Sequence, residues 1–322
     1  MKKVGIPQGL FYYYYYPLWK TYFQELGVEV ISSSDTNRKI VERGIELCVD
    51  EACFPVKVYF GHVCELCACG LDYLFLPRMV SVEPRSYICP KFMGVPDMIR
   101  ASIPDLPPLI SPVVDLSKTD KNYKRDMEQI GRLFTNRSAK IKQAYLRGLE
   151  ELDVCEKLTK TGLTRAEAIE RWEGKAVPLA MDGDLRIGLL GHGYSLYDRV
   201  ISLNIINRLR EMGCQVQLTE MIDQRMMEEQ AATLPKRMFW TLGRKIVGSA
   251  LYMKEHPSID GIIYLACFGC GPDSLIGEVV ERKLGNKPWM MLTLDEHTGE
   301  AGMITRLEAF CDMLRRRKMV NA

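Results

Sequence analysis

The sequence predicts an α/β protein: two similar Rossmann-like (flavodoxin-like) parallel-sheet domains joined by a helical connector. Three observations predict this. Short apolar runs alternate with stretches of helical spacing, glycine turns separate the two kinds of segment, and the pattern of the first third returns in the last. A chain of 322 residues has room for two such domains. With 47% hydrophobic and 26% charged residues the composition is ordinarily globular, so the cores need no staples.

The elements follow in order. "KKVGIPQ" (2–8) reads as a buried strand running into a glycine turn, and the tyrosine run Tyr12–Tyr16 falls in the loop after it. There the rings either line a functional edge or pack. "PLWKTYFQEL" has helical spacing, with Pro17 in the first turn and Gly27 as the stop. "VEVISSS" is the next strand. "LRIGLL", "GHGYS", "RVISLNIINRLREMG" and "CQVQLTE" repeat this strand–turn–helix–strand order from residue 185 onward. "LDYLFLPR" then matches "IDGIIYLAC", and "PPLISPVVD" matches "KPWMMLTLDE". After each third strand come a cysteine and a Pro-Asp pair that reads as a helix start. The predicted boundaries are 1–117 and 181–322 for the two domains. Residues 118–180 form the connector, where Thr164 and Glu167 have capping-box spacing.

Charge narrows the function. Lys and Arg number 43 against 41 Asp and Glu, a net charge of +2, which gives no footprint for nucleic acid or an anionic membrane. No apolar run is long enough to span a bilayer, and the start lacks a secretory pattern. A cytoplasmic location is expected, and there cysteines are core residues, reactive thiols or metal ligands, seldom disulfides.

The chain has 11 cysteines. In open parallel sheets ligands gather at the carboxyl ends of the strands. Cys89 and Cys270 fall in equivalent strand-end loops, so both read as ligands. Cys53 precedes "FPVKVYFGHV", at or near a helix N-cap, where the dipole and Lys57 favour a thiolate. The second domain's "LPKRMFWTLGRK" appears in register with this stretch through Leu234, Pro235 and Lys236, without a cysteine. Cys64, Cys67 and Cys69 look like a metal motif, but late in a helix they are expected to be mostly core, with at least two buried. Cys48 is either an extra ligand or a core residue, and Cys267, at a strand end, either replaces or assists Cys270. Cys155, Cys214 and Cys311 read as packing. The set Cys53, Cys89 and Cys270 lacks the close ligand pairs of structural zinc and suits an iron–sulfur cluster better, though spacing leaves both open.

Five stretches, "GIPQGLFYYYYYPLWKTYFQELGVEVISSS", "EACFPVKVYFGHV", "CPKFMGVPDM", "CFGCGPDS" and "DEHTGEAGMITRLEAF", resemble the activase-related family of the 2-hydroxyacyl-CoA dehydratases. The wider superfamily includes benzoyl-CoA reductase subunits and double-cubane cluster proteins. The resemblance spans nearly the whole chain. It implies a [4Fe-4S] or larger double-cubane type cluster, held between the domains by Cys53, Cys89 and Cys270. It also implies an ATP-dependent activase as electron donor, an acyl-CoA substrate and a homo- or heterodimer. No P-loop is present, so this chain would be the electron acceptor. Its alternative is a non-catalytic cluster carrier or a maturation scaffold. A zinc-stabilised binding protein is the weaker reading.

His192 and Tyr194 in "GHGYS", and His297 and Glu300 in "DEHTGEAG", are candidate catalytic residues on the functional edge of the second domain, with Asp295 and Glu296 beside them. His62 reads as a satisfied helix histidine.

Overall fold

The computed structural model describes residues 1–177 and 183–321; the expected connector boundary at 180/181 lies outside them. The chain divides into two units, Met1–Lys157 and Leu158–Ala322.

The first unit runs β1 (Lys3–Ile6), α1 (Tyr12–Glu25), β2 (Glu29–Ser32), α2 (Arg38–Leu47), α3 (Phe54–Cys67), β3 (Tyr73–Phe75), β4 (Arg78–Ser81), α4 (Pro90–Ser102), β5 (Leu109–Ile110), β6 (Val113–Asp115), α5 (Lys121–Gly131) and α6 (Ser138–Lys160), the last crossing into the second unit. Its sheet has the order β2-β1-β3-β5, every pairing parallel. Pro77 and Pro112 interrupt the third and fourth strands, because proline lacks the ladder N–H. Beyond them β4 and β6 continue as a parallel pair. Val4, Ile6, Leu74 and Phe75 are buried in the sheet, with Tyr22 and Phe23 of α1 fully buried in the same unit.

The second unit runs α7 (Arg165–Trp172), β7 (Leu185–Gly191), α8 (Gly193–Leu196), α9 (Ile205–Glu211), β8 (Cys214–Leu218), α10 (Gln224–Ala231), α11 (Thr241–Glu255), β9 (Gly261–Cys267), α12 (Gly271–Leu284), β10 (Trp289–Leu294) and α13 (Glu300–Asn321). Its sheet order, β8-β7-β9-β10, repeats that of the first unit strand for strand, again all parallel. β9 is buried along its whole length, as a central parallel strand covered on both faces must be. The helices expected within 118–180 are shared between the units, and α7 opens with the Thr164–Glu167 capping box, both bonds present.

Several local expectations need correction. The tyrosine run is not a loop: α1 begins at Tyr12, and Pro17 lies inside it. Gly9 and Leu10, both at positive φ, complete the turn early. Tyr12 and Tyr16 then stack at 4.2 Å, one helical turn apart. The helix expected from Arg199 begins only at Ile205. Asp198 Oδ1 accepts the N–H groups of Val200 and Ile201, and Leu203 and Asn204 are left-handed, so a turn occupies this stretch. In α4 the Pro-Asp pair is internal, since Pro90 already starts the helix; Asp97 is tied to Arg78 and Arg100 on the surface.

Paired helices follow the second strand in each unit. Glycines permit the close approach: a Cβ on Gly61 of α3 would collide with the Ile40 carbonyl of α2, and one on Gly248 of α11 with the Met227 carbonyl of α10. Gly61 lies eight residues after Cys53, and Gly248 eight after Trp240. The position equivalent to Cys53 is therefore Trp240, the N-cap of α11, and the Leu234–Lys236 register is wrong.

Candidate metal centre

Cys53, Cys89 and Cys270 share one local geometry. Each is the N-cap residue of a helix, α3, α4 and α12 respectively, with a proline at the first or second helical position. Proline is preorganised for that turn and its missing N–H costs nothing there. None of the three side chains makes a capping hydrogen bond. A thiolate at such a position faces the positive end of the helix dipole. Cys53 and Cys270 are buried and Cys89 is half-buried.

Within the first unit, Lys91 Nζ donates to the Glu51 carbonyl at 2.6 Å, which ties the start of α4 to the loop leading into Cys53. Cys48, the C-cap of α2, is buried beside that loop. Burial pushes its thiol up, while the charges of Lys57 and Lys91 pull the other way.

The second unit builds a denser arrangement around Asp273. This residue is in the first turn of α12 and only 1% exposed. His192 Nε2 lies 2.9 Å from its Oδ1, Tyr264 Oη donates to the same oxygen at 2.7 Å, and the Cys267 N–H donates to Oδ2 at 2.9 Å. Burial would push this carboxyl up, but the His192 imidazole and the other donors hold it below the ordinary carboxylate value. Burial and the Asp273 charge push the Tyr264 phenol up. An ionised carboxylate only accepts, so His192 carries its proton on Nε2. The Tyr194 ring stacks on the imidazole at 5.0 Å and 15°. Ser195 Oγ lies 3.3 Å from Cys267 Sγ. His192, Cys270 and Asp273 each offer a ligand atom within 4.8 Å of the others.

Of the residues singled out in the sequence, the structure thus gathers His192, Tyr194, Cys267 and Cys270. Asp273, Tyr264 and Ser195 were missed as site residues. The Pro-Asp pair was visible, but only as a helix start. His297 is exposed, and its N–H donates to Asp295 Oδ1 at 3.0 Å. Glu300 is exposed and ion-paired with Arg208. Cys64, Cys67 and Cys69 do not form a core: the first two are half-buried and the third exposed. The last turn of α3 still buries Leu66, and Cys64 and Cys67 lie on the less buried side of it. Arg43 Nε donates to Cys64 Sγ at 3.5 Å. Cys155, Cys214 and Cys311 are buried, the last two with sulfurs 3.6 Å apart.

Two like-wound parallel-sheet units, each with a cysteine capping the helix that follows its third strand, define a protein of the α/β class with a thiol-based candidate centre. A family model described as the CoA enzyme activase uncharacterised domain matches residues 3–222, and the chain belongs to that family. Membership ties it to a CoA-enzyme activase system. The matched stretch contains Cys53, Cys89 and His192; Cys270 and Asp273 lie beyond it. A search of curated proteins gave no match. No helix among the described residues is long and apolar enough to cross a membrane.

Proposed function

We propose that the chain is an iron–sulfur redox component of an acyl-CoA dehydratase-type system. In this reading it takes a low-potential electron from an ATP-dependent activase and passes it to a bound acyl-CoA, as a homo- or heterodimer in the cytoplasm. The observation that supports it is the shared placement of Cys53, Cys89 and Cys270 as helix N-caps. Thiolates stabilised in this way are the donors that iron–sulfur clusters take, so the residues fit the group. When bound, the cluster supplies one-electron chemistry at low potential. The chain's own contribution is to hold three thiolates at preorganised turns. His192, oriented by Asp273 and stacked on Tyr194, adds a buried polar group beside Cys270. His297, in the loop after β10, and Glu300, at the start of α13, are proposed to act on substrate.

The test is anaerobic purification followed by mixing with an activase, ATP and reductant. The expected chain is brown, contains iron and sulfide, and bleaches on reduction. A coloured chain that no activase reduces points instead to a carrier or scaffold. A colourless chain containing zinc rejects the redox reading.

A further inference from the structure

At the functional edge of the second unit's sheet, three buried side chains of different ligand chemistry meet. His192, Cys270 and Asp273 are 6%, 8% and 1% exposed, and their ligand atoms lie within 4.8 Å of one another. They come from two loops. His192 directly follows β7, while Cys270 and Asp273 open α12 after β9. β7 and β9 are neighbours in the order β8-β7-β9-β10, the point where successive connections leave in opposite directions. Open α/β sheets bind ligands at this switch point. His192 Nδ1 is buried and has no hydrogen-bond partner among the described residues. A buried polar nitrogen in that state marks a site whose interactions are incomplete within the protein.

The charges decide what completes it. As ligands, a neutral imidazole, a carboxylate and a thiolate sum to two negative charges, which a divalent cation balances in a buried site. A divalent ion of the zinc or iron(II) type supplies that charge, and mixed nitrogen, sulfur and oxygen donors suit its softness. We propose that the second unit by itself binds one divalent transition-metal ion through His192, Cys270 and Asp273, without Cys53 or Cys89. Binding replaces the His192–Asp273 hydrogen bond by two metal bonds. The imidazole then holds its proton on Nδ1, where a water entering with the ion accepts it, and the Cys270 thiol releases its proton to solvent. Asp273 keeps the Cys267 N–H on its other oxygen. A fourth metal position stays open to water. The site shares Cys270 with the proposed cluster, so the two occupants exclude each other at that thiol.

The test is a Co(II) titration of the metal-free full-length chain, followed by the thiolate-to-cobalt charge-transfer and d–d bands. The wild type and a Cys53→Ala/Cys89→Ala double variant are expected to bind a single Co(II) alike. Cys270→Ala should lose the charge-transfer band, and His192→Ala should weaken binding by about tenfold or more. X-ray absorption on the cobalt-loaded wild type reads the site without any substitution: one sulfur with nitrogen and oxygen neighbours is expected. More than one sulfur, wild-type binding by His192→Ala, or loss of binding in the double variant overturns the proposal. Iron and sulfide in the wild type alongside wild-type cobalt binding by His192→Ala would sink this site and spare the cluster reading. Cobalt bound as stated, in a chain that purifies anaerobically without iron, would do the reverse.

Discussion

His62 sits inside α3 with both ring nitrogens engaged, Nδ1 at 2.9 Å from Ser33 Oγ and Nε2 at 2.9 Å from Thr36 Oγ1. Burial lowers its pKa to about 4, against a weaker opposite pull from Asp35. The folded state therefore resists protonation that the unfolded state accepts near the ordinary histidine value. The stabilisation is complete above that value and is lost as pH falls toward 4, by about 1.4 kcal/mol per unit. Urea unfolding between pH 7 and pH 5 should show this slope, and His62→Gln should flatten it; parallel slopes would rule His62 out as the cause. Its role as a helix histidine was legible because it sits in a largely apolar helix. The thiols two to seven residues further on were not. Composition makes small thiols look like core, but only the packed structure shows that Leu66, and not the thiols, takes the buried side of the last turn of α3. A thiol reagent added to the native, metal-free chain should label Cys69 first and then Cys64 and Cys67, with Cys155, Cys214 and Cys311 reacting only on unfolding. Early labelling of Cys214 would contradict the packing described.

At the level of elements, the paired helices depend on glycine for space. Gly61→Ala and Gly248→Ala gain helix propensity of about 1 kcal/mol but drive a methyl into a backbone carbonyl of the neighbouring helix. Net destabilisation of about 2 kcal/mol or more is expected for each in thermal or urea unfolding. Gly94→Ala, in α4 with only Met98 Sδ at 3.9 Å, should instead be neutral or stabilising by up to about 1 kcal/mol. If all three behave alike, the close approach is not what fixes these helices. Strands were read well from the sequence, since buried parallel strands are short apolar runs between turns. Helix starts were read less well. The turn at Gly9 and Leu10, the Asp198 turn and the internal Pro96 each depend on backbone angles or on side-chain bonds that periodicity does not encode. The Leu234 register failed for a related reason: identity at a Pro-Lys pair was a weaker guide than the glycine contact between helices.

Over the whole chain, the repeat is the feature the sequence displayed most clearly. Both sheets have the same strand order, and paired helices follow the second strand in each. Family membership through residues 3–222 agrees with the activase-related resemblance. The candidate site was legible in part. Cysteines stand out by type and by the prolines after them, whereas Asp273, Tyr264 and Ser195 are ordinary residues that matter only because α12, β9 and α8 bring them to His192 and Cys267. Cys53, Cys89 and Cys270 are proposed to hold one iron–sulfur centre. The most direct measurement is the iron and acid-labile sulfide content of the anaerobically purified chain and of the Cys53→Ala, Cys89→Ala and Cys270→Ala variants, with far-UV circular dichroism on each. Every single variant is expected to lose most of its iron and sulfide and its visible absorbance while keeping wild-type secondary structure. Three folded variants with wild-type iron content and spectrum would contradict it.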